Sequence, residues 1–269
     1  MCLIALAWRA IPGIRLLVAA NRDEYHARPT AHAGYWDDAP HILGGRDLQD
    51  GGTWMGVTRQ GRFAALTNHR TSGGPRAAMR SRGHLVAEFL RGNDPAHAYC
   101  QSVAAQAGRY NGFNLLAGDG GALAYAGDHA PQAQTLTPGF HSLSNARLNT
   151  PWPKAAGLSA DLQRIGSAAR DENALVRDLL AVLADTRRPP DDALPDTGIG
   201  LDRERLLAPR MIVAPLYGTR SGCVLIVRED GSTRLDERSY DSAGRVTREV
   251  SESGSPIAPI RRSASVSAS

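Results

Sequence analysis

Two short apolar runs, residues 1–7 and 15–20, flank Pro12-Gly13 at the start of the chain. A Pro-Gly dipeptide between two such runs marks a turn, so the stretch reads as a β-hairpin. Its second strand closes on four polar residues, Asn21-Arg22-Asp23-Glu24. Its first strand begins with Cys2, which the hairpin brings alongside that polar cluster.

The position of Cys2 matters chemically. Removal of Met1 leaves Cys2 with both a thiol and a free α-amine, whose reference pKa is about 7.7–8.0. Such an amine takes the thiol proton directly or through one water, as an N-terminal threonine does with its own amine. The plainer reading is a small buried apolar residue, the commonest fate of a free cysteine.

Composition narrows the classes. With 42% apolar and 22% charged residues among 269, the chain reads as an ordinary soluble globular protein. Its net charge of +4 is spread along the sequence rather than clustered as a nucleic-acid face would be. Cys2, Cys100 and Cys223 are odd in number and lack Cys-x-x-Cys spacing, which argues against a disulfide scaffold or a zinc site and for a reducing, cytoplasmic setting. The eight histidines show no His-Glu-x-x-His pattern, so no metal is expected. Trp8-Arg9 and Pro12-Gly13 interrupt the early apolar run, so it reads as neither signal peptide nor membrane anchor, and no membrane insertion is expected.

Residues 25–50 read as a polar loop, with turn signals at Gly44-Gly45 and Gly51-Gly52. A second hairpin is expected over 54–58 and 62–67. Helices follow near 85–90 and over 95–107, the latter with Asp94 as N-cap and Pro95 in its first position. Strands return at 113–117, 122–126, 133–136 and 139–143, then helices over 151–167 and through the amphipathic run 175–183, capped by Asp171. Residues 187–200 read as loop, and strands resume at 210–213, 222–227 and 233–240. The Ser-, Pro- and Ala-rich residues 251–269 read as a disordered tail after a single domain over 1–250. Strands grouped around helix pairs suggest a layered α+β fold, with antiparallel sheets packed between helical layers.

Polar clusters recur at strand ends: residues 21–24, 68–70, 145–147 and 210–220. Converging strand ends of this kind could supply an acyl-transfer site with a nucleophile, an orienting group and oxyanion donors. Cys2 would be the nucleophile, Asp23 would hold its amine, and Asn68 or Asn145 would polarise a carbonyl. Arg70 and Arg220 could bind an anionic substrate, alongside Asn21, Arg22 and Glu24. The plainer alternative makes each Asn a turn residue and Arg22–Asp23 a structural ion pair.

Several motifs in order carry a family resemblance: Met1-Cys2-Leu3, Asn21-Arg22-Asp23-Glu24 with Arg28-Pro29-Thr30, Gly45-Arg46-Asp47 with Gly52-Thr53-Trp54, and Thr67-Asn68. Gly112-Phe113-Asn114-Leu115, Leu143-Ser144-Asn145 with Pro151-Trp152-Pro153-Lys154, and Tyr217-Gly218-Thr219-Arg220 continue it. Together they resemble the transport and Golgi organisation 2 family, also called the NRDE family, which in turn resembles N-terminal-nucleophile hydrolases of the choloylglycine hydrolase and penicillin V acylase type. The resemblance implies a four-layer αββα sandwich and a hydrolase or acyltransferase acting on a C–N amide or thioester bond of a small acyl substrate. It implies Cys2 as nucleophile, Asp23 as orienting carboxylate, Asn68 and Asn145 as site asparagines, and Arg210 as the late arginine, with Arg220 competing for that place. Those hydrolases carry an arginine just before their Asn-x-Asp, where this chain has Ala20. The family also implies a second reading, a non-catalytic module that binds haem or acyl-coenzyme A, with no cofactor required for the first.

Overall fold

The computed structural model describes residues 2–70, 74 and 76–255. The opening hairpin is present and longer than its apolar runs, as β1 (Cys2–Ile11) and β2 (Ile14–Tyr25). Its strands pair antiparallel with Cys2 opposite Arg22 and Ile4 opposite Ala20. Further strands are β3 (Thr30–Trp36), β4 (Ala39–Asp47), β5 (Met55–Thr58), β6 (Phe63–Asn68), β7 (Phe113–Gly118), β8 (Leu123–Gly127), β9 (Gln134–Thr135) and β10 (Gly139–Leu143). The chain then adds β11 (Tyr217–Arg228), β12 (Thr233–Tyr240) and β13 (Val246–Gly254). Two antiparallel sheets result, ordered β10-β1-β2-β11-β12-β13 and β3-β4-β5-β6-β7-β8-β9.

Strand alternation builds the layers. Along β1 and β2, Ile4, Leu6, Trp8, Leu16 and Val18 face the second sheet and form a core with Leu43, Val57, Phe63 and Leu116. The intervening Leu3, Ala5, Leu17 and Ala19 face outward and pack on helices α3 (Pro153–Ala168) and α4 (Glu172–Leu183). The outer face of the second sheet is covered in the same way by α1 (Gly83–Arg91) and α2 (Ala96–Ala105). The result is a four-layer αββα sandwich, an α+β fold with three stacked cores. Each fully buried Leu or Phe in those layers is worth about 1.5–3 kcal/mol, and β1 and β2 are buried on both faces.

Asp171 caps α4 as the sequence suggests, its carboxylate accepting from the Ala174 N–H at 2.9 Å. Pro95 rather than Asp94 occupies the N-cap of α2, with Ala96 as its first helical residue. Other expectations need correction. Residues 25–50 hold β3 and β4, whose interspersed polar and small residues hide the period-2 pattern. Residues 210–213 are irregular and tied by single bonds such as Met211 N–H to Asp185 O. A short helix, α5 (Leu201–Leu207), follows the proline-rich loop. Part of the expected tail, residues 251–254, pairs within β13, and residues 256–269 lie outside the described residues. No helix among the described residues is long and apolar enough to cross a membrane.

Candidate active site

Side chains alternate across a strand, and this divides the Asn-Arg-Asp-Glu run between two layers. Cys2 and Arg22 are directly paired, so they share one face, that of Ala20 and the core between the sheets. Asn21 and Asp23 take the opposite face, toward the helices. Asn21 is 1% exposed, and its Nδ2 donates to Leu183 O at 2.9 Å and Arg210 O at 2.8 Å. It ties the end of α4 and the 210 loop to β2. Asp23 Oδ1 accepts from Thr219 Oγ1 at 2.6 Å, and the Asp23 carbonyl accepts from the Tyr217 hydroxyl at 3.1 Å.

The polar end of β2 opens onto a cavity of about 220 Å³. Its lining includes Cys2, Arg22, Asp23, Glu24, Trp54 and Asn68. Four more arginines reach it, Arg28, Arg46, Arg80 and Arg82, with Asp47 and Asp50. The wall is closed where Gly52 meets the start of α1: a Cβ on Gly52 would lie 2.5 Å from the Gly83 carbonyl carbon, so neither segment could approach with a side chain there.

These arginines are not equivalent. Arg28 is committed to Asp47 and Asp50 at 2.6 and 2.7 Å, Arg46 to Asp38 at 2.7 Å, and Arg80 to Glu88 at 2.8 Å. Arg22 and Arg82 have no carboxylate within 4 Å among the described residues; Arg82 Nη1 donates to Gly112 O at 2.9 Å. Arg22 is 7% exposed and its Nη1 is buried without a hydrogen-bond partner. A buried guanidinium is costly unless paired, so two guanidiniums without a carboxylate partner make this wall of the cavity suited to an anion.

Electrostatics around Cys2 set two forces against each other. Burial pushes its thiol up, while the Arg22 charge and a hydrogen bond from the Asp23 backbone N–H pull it down; burial prevails. Burial also raises the Asp23 carboxyl, opposed chiefly by the charge of Lys154. Lys154 is itself 8% exposed, and burial lowers its ammonium, whose Nζ donates to Leu207 O at 2.7 Å. The charges of Asp23 and Lys154 thus each offset part of what burial does to the other.

The asparagines divide as well. Asn68, at the end of β6, lines the cavity, and its side-chain amide has no hydrogen bond among the described residues. Asn145 does not line it; its Nδ2 donates to the Asn68 carbonyl at 2.7 Å, which holds the residue that does. The neighbouring Ser144 hydroxyl donates to the Cys2 carbonyl at 3.3 Å.

None of the expected outer arginines reaches the cavity. Arg210 pairs with Asp161 at 2.7 Å on the helical side. Arg70 pairs with Glu204 at 3.3 Å and faces a separate cleft with Trp152 and Lys154. Arg220 donates to Tyr25 O and Arg28 O at 3.0 and 3.1 Å. It occupies a bulge, since Thr219 pairs with Asp23 and Ser221 with Arg22, and such an extra residue re-aims its side chain. Arg220 thus braces the chain that leaves β2.

Sequence reasoning missed Arg82, which no periodicity marks, and Asn114. The Asn114 amide donates to Thr67 Oγ1 at 3.0 Å and Ala146 O at 2.9 Å, and its Oδ1 accepts from the Tyr125 hydroxyl at 2.6 Å. That network joins β6, β7 and the residues after β10 behind Asn68.

Among the lining residues Cys2 and Met79 are of the types that ligate haem iron, in walls that are otherwise largely charged.

Comparison with known proteins agrees with the motif reading. The family model described as Transport and Golgi organisation 2 matches residues 1–242. The Transport and Golgi organization protein 2 homolog of Bos taurus is 37% identical over 257 residues, covering 89% of this chain and 93% of that protein. The human homolog is 35% identical over 262 residues with the same coverage of both chains. The Drosophila melanogaster protein is 26% identical over 265 residues, covering 89% of this chain and 92% of its own. Among solved structures, a conjugated bile acid hydrolase from Clostridium perfringens is similar at a TM-score of 0.48 and 9% identity, over 93% of this chain and 92% of that one. An N-acylethanolamine-hydrolyzing acid amidase ortholog from Caenorhabditis elegans is similar at 0.48 and 10%, over 84% and 92%. The chain belongs to the Transport and Golgi organisation 2 family.

Proposed function

We propose that the protein is an N-terminal cysteine hydrolase or acyltransferase that acts on the amide or thioester bond of a small anionic acyl substrate. The observation that carries this reading is the shared cavity: Cys2, the unengaged Asn68 amide and the uncommitted Arg22 all line it.

The chemistry requires removal of Met1. The freed amine of Cys2 takes the thiol proton, and Sγ attacks the substrate carbonyl carbon. The carbonyl π-bond electrons move to oxygen, where the Asn68 amide donates a hydrogen bond. Donors of this kind are worth roughly 10²–10³ in rate. The tetrahedral adduct collapses, expels the amine or thiol with the proton held by the α-ammonium, and leaves an acyl thioester on Cys2. Water then releases the acid, or an acceptor nucleophile takes the acyl group. Asp23 holds the α-ammonium, and Arg22 with Arg82 seats a carboxylate or phosphate of the substrate.

A second reading keeps the cavity as a binding module for an acyl thioester of coenzyme A, favoured by the same two arginines, which suit phosphate. The two readings part on turnover. Protein confirmed to lack Met1, incubated with a panel of anionic N-acyl amides and acyl thioesters, should form an acylated intermediate on Cys2 and release product. Cys2→Ala should abolish both, and Cys223→Ala should abolish neither. Turnover that survives Cys2→Ala overturns Cys2 as the nucleophile; saturable thioester binding without acylation selects the module.

A further inference from the structure

At the far side of Asn68, three potential metal ligands converge that the proposed chemistry does not use. His69 follows Asn68 at the end of β6, while Asp128 and His129 follow β8. His69 Nδ1 lies 2.9 Å and His129 Nδ1 3.7 Å from Asp128 Oδ1, and one ligand atom from each residue lies within 4.8 Å of the others. Two donors bound tetrahedrally to zinc at about 2.0–2.1 Å sit about 3.3 Å apart, which these two separations bracket.

Hydrogen bonds fix the proton on His129. Asn114 Nδ2 donates to Thr67 Oγ1 and Ala146 O, so its Oδ1 is an acceptor and the Tyr125 hydroxyl spends its proton there at 2.6 Å. The Tyr125 oxygen, 3.0 Å from His129 Nε2, must then accept from the Nε2–H. With Nε2 engaged by Tyr125, Nδ1 is the nitrogen placed to ligate, 3.7 Å from Asp128 Oδ1. Both His69 Nδ1 and His129 Nδ1 are buried and turned toward Asp128 Oδ1, so a cation among the three would meet two imidazole nitrogens and a carboxylate oxygen.

The surroundings hold the ligands in place. A Cβ on Gly127 would lie 2.5 Å from His129 Cε1, so the ring occupies space that only glycine leaves open. Asp128 Oδ1 also accepts from the Phe113 N–H at 3.0 Å, and the His69 backbone N–H donates to Gly112 O at 2.9 Å. Tyr125 on His129 Nε2 is a partner on the second ring nitrogen, the usual support of a ligating histidine. The side chains of His69, Asp128 and His129 keep 19%, 19% and 11% exposure, and a recess of about 330 Å³ reaches Asp128.

We infer that His69, Asp128 and His129 form a site for a divalent first-row transition metal, zinc by its preference for two imidazoles and one carboxylate. The bound ion would clamp the end of β6, and with it Asn68, to the end of β8. Sequence spacing hides the site, because His69 is remote from the adjacent Asp128-His129 pair.

The test uses the full chain stripped with chelator and titrated with Zn²⁺ by calorimetry, and with Co²⁺ by visible absorption. We expect one equivalent of each metal and cobalt bands of a tetrahedral or five-coordinate N/O site. His69→Gln, Asp128→Asn and His129→Gln should each weaken binding by at least tenfold. Tyr125→Phe, which leaves every ligand in place, should weaken it about 10–100-fold. Circular dichroism of each variant establishes that it is folded. No saturable Zn²⁺ uptake by the native chain, or uptake equal in the native chain and the ligand variants, would overturn the inference.

Discussion

The two faces of the end of β2 carry residues of equal polarity and opposite fate. On the helical face, Asn21 spends its amide on two backbone carbonyls and Asp23 accepts from Thr219. On the face between the sheets, Arg22 is as deeply buried yet has no carboxylate partner among the described residues. The difference separates holding from binding. Donors whose hydrogen bonds are met inside the protein, as those of the Asn21 amide are, stabilise the fold, whereas a buried donor left unmet is a cost that a ligand can relieve.

The comparison can be broken by substitution. The largest effect is expected at Asp23, the helical-face residue that the proposed chemistry uses. Asp23→Asn keeps the shape and the Thr219 contact but removes the charge proposed to hold the α-ammonium. Turnover should fall by about 10²–10⁴-fold, the range for a lost acid–base partner. Ionised Asp23 is the competent form, so the acid limb of the native pH–rate profile should lie above the usual carboxylate range, the direction in which burial moves it. The linkage sign follows. Between the unfolded and the raised folded pKa the native state binds more protons, so this group's contribution to stability falls as pH rises through that window. Asp23→Asn removes that slope, and denaturant titrations at several pH values would show it.

Asn21→Ala comes next and should act on the fold alone. It leaves Leu183 O and Arg210 O without their donor, at a cost of roughly 2–4 kcal/mol for two buried acceptors. Urea unfolding measures it; an unchanged midpoint would remove Asn21 from the holding face. Arg22→Met reverses the pattern. Stability should stay within about 1 kcal/mol or rise, because an unpaired buried charge is lost, while affinity for an anionic ligand drops more than tenfold. Affinity that survives this change would place anion binding elsewhere.

The smallest effect belongs to Asp161, which pairs with Arg210 away from the cavity. Burial tends to raise its carboxyl, but the Arg164 and Arg210 contacts together hold it below the ordinary value. Its stabilisation is therefore complete above a pH of about 4 and is lost as pH falls through the folded value. Asp161→Asn should cost less than about 1 kcal/mol at neutral pH, and the difference from native should vanish in acid. Turnover should be unaffected, which would confirm that Arg210 stands outside the chemistry.

Much of this was legible in the residues. The hairpin around Pro12-Gly13, the α4 helix with its Asp171 cap, and β10 follow from periodicity and turn chemistry, which are local properties. Cys2, Asp23 and Asn68 were found because polar residues at the ends of apolar strands are conspicuous. The division of Asn21 from Arg22 was also available in principle, since alternation along a strand is a sequence property. Arg82, Asn114 and the His69–Asp128–His129 cluster were not legible: each acquires meaning only when β6, β7 and β8 lie side by side. Arg210 and Arg220 misled because an arginine near a polar motif says nothing about which carboxylate or carbonyl will claim it.

The central claim is that Cys2 is a nucleophile activated by its own amine, and intact-mass spectrometry of the native protein tests it most directly. The account predicts a chain that begins at Cys2 and gains one acyl group there on brief exposure to substrate. A chain that retains Met1, with the Cys2 nitrogen locked in a peptide bond, would contradict it.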